Sequence, residues 1–132
     1  MTDPGTSDQD ELTSAISDEV HRIHRDSYGY GATDVETYLL DEHVLTVLDG
    51  IELSPGEKVL IGAGRQELVR EVRQQFQLST RPTFTAAIER VTGRRVLAFI
   101  SFTHLDPDFM VELFKLAPDG SDPAELEDAM GG

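Results

Sequence analysis

The ten residues Arg94–Thr103 constrain the fold more than any other stretch of the chain. Val96, Ala98, Ile100 and Phe102 fall on one side of an extended backbone, and Leu97 and Phe99 make the other side apolar as well. A strand that is apolar on both sides belongs at the centre of a sheet, or carries a face that a partner covers. His104-Leu105-Asp106-Pro107-Asp108 follows as a turn in which Pro107 fixes φ, and Phe109–Leu116 returns as the next strand.

Upstream, the apolar spacing changes to that of a helix. Leu12, Ile16, Val20 and Ile23 lie on one stripe, which predicts a helix from about Asp8 to Asp26 that ends at Tyr28-Gly29-Tyr30-Gly31. Val35–Leu40 and His43–Leu48 are two short runs joined by Asp41-Glu42, the pattern of a tight hairpin. Ser54-Pro55-x-Glu57 then supplies a cap, a proline at the first helical position and an acid at the third, and so starts a short helix. A longer helix begins near Arg65, with Leu68, Val69, Val72 and Phe76 as its expected apolar face. Arg81-Pro82 is expected to interrupt or kink it, and Phe84, Ile88 and Val91 form the stripe of a following helix that stops at Gly93. The order αββααββ predicts an α+β fold: a four-stranded, mostly antiparallel sheet with helices on one face and the second face open to a partner.

The distribution of charge narrows what such a fold can do. The chain has 132 residues with 11 basic and 25 acidic side chains, a net charge of −14. Asp3, Asp8, Asp10 and Glu11 at one end, and Asp119, Asp122, Glu125, Glu127 and Asp128 at the other, hold nine of those charges. These ends offer little apolar surface against ordering entropy. Residues 1–11 and 118–132 are therefore expected to be disordered acidic tails around one domain over residues 12–117. Phosphate repels so acidic a chain, which argues against nucleic acid as a partner and against docking on an anionic lipid surface. No apolar run is long enough for a membrane span and no secretory signal stands at the N-terminus, so a cytoplasmic location is expected, without direct membrane insertion. Only two bases, Lys58 and Lys115, are lysine, which fits a high-salt cytoplasm or a GC-rich genome equally well.

Three segments together resemble one known family. Gly93-Arg94-Arg95-Val96-Leu97-Ala98-Phe99-Ile100-Ser101 with His104-Leu105-Asp106-Pro107-Asp108 is similar to the C-terminal hallmark of MpsC-like proteins. Gly29-Tyr30-Gly31 is similar to that family's G-x-G segment, and Arg65-Gln66-Glu67-Leu68-Val69-Arg70-Glu71-Val72-Arg73 to its amphipathic helix. The resemblance covers about residues 10–117 and brings no catalytic motif. It implies an accessory component of a Na+-translocating, membrane potential-generating system engaged in cation or inorganic-carbon (bicarbonate) uptake, with an integral membrane transporter subunit as partner.

The candidate sites are few. Arg94 and Arg95 open the long strand and offer a guanidinium pair for a carboxylate or bicarbonate, which together with the Gly29–Gly31 loop would make a small-ligand or anion-binding regulatory domain. The same arginines would also serve to neutralise a helix C-terminus. His104, Asp106 and Asp108 carry ligand chemistry suited to Zn2+ or Mn2+, but one histidine and two nearby carboxylates fall short of a set, and the segment reads first as a turn. His21 and His24 stand i, i+3 between Arg22 and Arg25, a spacing read as a solvated helix face. Tyr28, Tyr30 and Tyr38 are expected as half-buried edge residues. With no cysteine, no P-loop, no HExxH and no Ser-His-Asp order, the sequence supports neither an enzyme nor a cofactor or metal site. The expectation is a non-enzymatic protein that acts by contact, as a homodimer.

Overall fold

The computed structural model describes residues 4–28 and 31–118. Helix α1 (Pro4–Tyr28) is followed by strands β1 (Ala32–Leu40) and β2 (His43–Ile51), helices α2 (Pro55–Gly62) and α3 (Gln66–Thr92), and strands β3 (Val96–Leu105) and β4 (Asp108–Leu116). The four strands form one antiparallel sheet in the order β1-β2-β4-β3. Helix α1 packs on β1 and β2, α3 packs on β3, and the two helices pack on each other, all on one face. This is the α+β arrangement that the periodicity predicts.

The core lies between that helix layer and the sheet. Ile16, Val20 and Ile23 of α1 and Phe84, Ala87 and Ile88 of α3 meet Val44, Leu48, Phe99, Met110 and Phe114 from the sheet. Phe99 stands edge-on to Phe114 with ring centroids 4.5 Å apart, a geometry that aromatic quadrupoles favour. Burial alternates along β2, where Val44, Thr46 and Leu48 point inward. The alternation shifts at Gly50, whose φ of 61° bends the strand so that Ile51, not residue 50, closes the core. Asp41, at φ 56°, makes the two-residue turn of the first hairpin.

Several boundaries differ from the sequence reading. Helix α1 begins at Pro4 instead of Asp8, so residues 4–11 of the expected acidic tail are helical; proline suits a first turn, where its missing N–H has no helical partner to lose. The tail expectation for residues 1–3 and 119–132 lies outside the described residues, and Ala117 is still buried, with its N–H bonded to the Arg95 carbonyl at 2.8 Å. Pro82 does not interrupt α3. It faces outward within one continuous helix, while Val69, Arg73 and Gln77 before it and Phe84, Ala87 and Ile88 after it are all buried. The Thr80 hydroxyl donates to the Phe76 and Gln77 carbonyls in the turn that the proline loosens. The expected turn at His104–Asp108 shrinks to Asp106 and Pro107, with the strands extended to either side.

Strand β3 is an edge strand, not a central one. Its Phe99 side is buried under the helices, while Ile100 and Phe102 on the other side are exposed.

Candidate functional site

The strand registers place four rows of side chains on the face of the sheet that, among the described residues, no helix covers. They are Leu40-His43-Lys115-Ala98, Tyr38-Leu45-Leu113-Ile100, Glu36-Val47-Val111-Phe102 and Asp34-Asp49-Phe109-His104. The two middle rows are apolar but for Glu36 and the Tyr38 hydroxyl, which donates to Glu36 at 2.8 Å. That bond to a carboxylate holds the Tyr38 phenol above its ordinary range. Ile100 keeps 61% of its surface exposed and Phe102 58%. Scattered apolar residues are ordinary on a protein surface, whereas these form one contiguous patch across the four strands.

The covered face carries a polar row of its own. Thr37, Thr46, Glu112 and Ser101 are aligned across the four strands beneath the helices. Ser17 of α1 lies 2.7 Å from the Thr37 hydroxyl, and Thr37 lies 3.3 Å from that of Thr46. Glu112 is 1% exposed and borders a cavity of about 20 Å³, room for one water, together with His24, Gln77, Arg73 and Met110. Its Oε2 and the Gln77 Nε2 have no hydrogen-bond partner among the described residues. Burial pushes the Glu112 carboxyl up to about 8; the Ser101 hydroxyl and the Arg81 guanidinium pull more weakly the other way. The group therefore keeps its proton through neutral pH.

An ion cluster fastens the far end of the sheet. Arg73, whose side chain is fully buried, donates from Nε to Glu57 at 2.9 Å and from its two terminal nitrogens to the Asp108 carboxylate at 2.7 and 3.1 Å. Glu57 also completes the capping box of α2: Ser54 Oγ accepts from the Glu57 N–H at 3.1 Å, and Glu57 Oε1 accepts from the Ser54 N–H at 2.9 Å. One guanidinium thus ties α2, α3 and β4 together. This geometry also explains why the buried stripe of α3 is Val69, Arg73 and Gln77, while Val72 and Phe76 of the expected apolar face are exposed.

The residues singled out in the sequence do not converge. The Arg94 guanidinium donates twice to the Ala117 carbonyl, at 2.9 and 2.7 Å, and so holds the end of the domain in place. Arg95 accepts the Ala117 N–H through its carbonyl. Gly29 and Tyr30 lie outside the described residues; Gly31 accepts the Glu52 N–H at 3.0 Å beside the start of β1. The beginnings of β1 and β3 are on opposite edges and opposite ends of the sheet, so Arg94, Arg95 and Gly31 are not parts of one pocket. His104 Nδ1 bonds the Pro107 carbonyl at 2.8 Å and its ring packs on Phe109 on the open face, whereas Asp108 turns to the covered face and binds Arg73. Among the described residues no group of three His, Asp or Glu side chains is placed to share a metal. His24 is buried at the cavity, off the solvated face expected for it, and Tyr38 sits on the open sheet face. Tyr28 closes α1.

Among the described residues no helix is long and apolar enough to cross a membrane. No curated protein and no solved structure matches the chain. A family model described as Na+-translocating membrane potential-generating system (MpsC) matches residues 8–118, which takes in most of α1, the whole sheet and both other helices. The fold and its open β face are thus those of a chain that belongs to the MpsC family.

Proposed function

We propose that this chain is a non-enzymatic accessory component of the membrane potential-generating system, one that works through protein contact at the uncovered face of its sheet. The observation that carries the reading is the position of β3: an edge strand whose Ile100 and Phe102 stand more than half exposed in a continuous apolar surface. Water contact with such a surface costs roughly 25 cal/mol for each Å² left uncovered, so the face is built to be buried in an assembly. The polar groups elsewhere are engaged in structure. Arg94 clamps a carbonyl, Arg73 bridges two carboxylates, and Glu112 is sealed under the helices. Association with the membrane runs through an integral transporter subunit, because the −14 net charge opposes an anionic leaflet. Cytoplasmic location and a part in bicarbonate or cation uptake belong to the same reading.

A complementation assay tests it. In cells that depend on the chain for Na+-dependent membrane potential, Arg94→Ala and His104→Ala should leave the potential within about twofold of wild type. Ile100→Glu combined with Phe102→Glu should abolish it while the purified variant keeps its circular dichroism spectrum. Loss of the potential with Arg94→Ala or His104→Ala, and its retention in the Glu double variant, would assign the work to a reactive pocket and overturn the proposal.

A further inference from the structure

We infer that the occupant of the open sheet face is a second copy of this chain, stacked face to face about a two-fold axis that lies across the strands. The inference rests on the contact reading above and names the partner at that surface. Its first support is size. Four strands about 4.8 Å apart and some 25 Å long present roughly 500 Å² per copy, so a pair buries about the 1,000 Å² that a specific interface needs.

The second support is the placement of charge. Of the four rows on the face, the one at the β3 start carries Lys115 and His43, and the one at the opposite end carries Asp34 and Asp49. An axis across the strands, between the Ile100 and Phe102 rows, exchanges the two ends. Lys115 of one copy then lies within about one strand spacing of Asp49 of the other, and the aligned packing angle of stacked sheets, about 30°, keeps it in reach. Ile100 and Phe102 of one copy meet Phe102 and Ile100 of the next at the centre. An axis along the strands would instead exchange β2 with β4, leaving Asp49 of one copy within about one strand spacing of Asp49 of the other and Lys115 equally near Lys115, with no pairing of opposite charge. Rotation across the strands is therefore the self-complementary choice, and a two-fold operation closes the assembly at two copies.

Light scattering on the purified full chain tests this. At about 100 μM the mass should be twice 14.6 kDa. Ile100→Glu with Phe102→Glu should return it to one copy with an unchanged circular dichroism spectrum. Lys115→Glu alone and Asp49→Lys alone should each weaken dimerisation by tenfold or more, and the two reversals in one chain should restore it to within about threefold of wild type. A single-copy mass for wild type at that concentration overturns the inference, as does failure of the double reversal to rescue. If wild type is a single copy while the Ile100→Glu, Phe102→Glu chain still abolishes the membrane potential in cells, another protein holds the face: the inference falls and the contact reading stands.

Discussion

Replacing Glu112 with glutamine should change the pH dependence of stability more than stability itself. The wild-type carboxyl has an ordinary pKa of 4.5 and is held at about 8 in the fold, because ionising it would strand a charge in the cavity under α1 and α3. Since the folded value lies above the unfolded one, the native state binds the extra proton between those two limits. The stability tied to this group is present in full below pH 4.5 and is lost as pH rises to about 8. The slope in that window is about −1.4 kcal/mol per pH unit, and the whole displacement amounts to about 5 kcal/mol, an upper figure because water entry relaxes a buried charge. Glutamine keeps the shape, carries no charge, and can donate toward Ser101 across the row. Urea unfolding followed by circular dichroism at pH 5, 7 and 9 checks the argument, because the other titrating groups cancel between the two proteins. Near pH 5 the two curves should lie within about 1 kcal/mol of each other, within the range of an ordinary polar substitution. At pH 9 the glutamine protein should be the more stable by several kcal/mol. Parallel pH profiles would refute the reasoning, since they would mean that Glu112 ionises in the folded protein at its ordinary pKa.

Two other positions give sharp expectations. Arg73→Met should cost about 3–5 kcal/mol, because it leaves Glu57 and Asp108 as uncompensated partly buried carboxylates, and calorimetry should show the melting temperature fall by more than about 10 °C. Gly50→Ala should cost about 2–4 kcal/mol in urea unfolding: the residue sits at φ 61°, and a Cβ there would lie 2.7 Å from the Cβ of Thr33, a branched side chain with little freedom to move away.

Local pattern made most of the fold legible. The stripe Leu12, Ile16, Val20, Ile23, the capping box at Ser54 and Glu57, and the glycine stop at Gly93, with its φ of 69°, each depend on neighbours within a turn or two of chain. Sequence carries that information directly. The Arg73 cluster was lost for an identifiable reason. Running the Ile88–Phe84 stripe backward at helical spacing leads to Gln77, Arg73 and Val69, but only if the helix passes through Pro82. Breaking it there resets the register and moves the apolar face onto Val72 and Phe76. Glu112 carried a signal that alternation could have used, since it stands between Met110 and Phe114 on the inward side of β4.

What the chain determined by itself was the kind and sequence of its elements, the apolarity of the Arg94–Thr103 segment on both sides, and the family that its residues 8–118 match. Tertiary structure decided the strand order, and with it that β3 lies at an edge whose outer face no helix covers among the described residues. It also decided which partners the charged side chains take: Arg94 a carbonyl, Arg73 two acids, Glu112 a buried place beside a small cavity. Hydrogen bonding and side-chain spacing along one strand are local properties. Which strands become neighbours, and which face is left to water, depends on contacts between residues far apart in the chain, and no stretch of sequence encodes those alone.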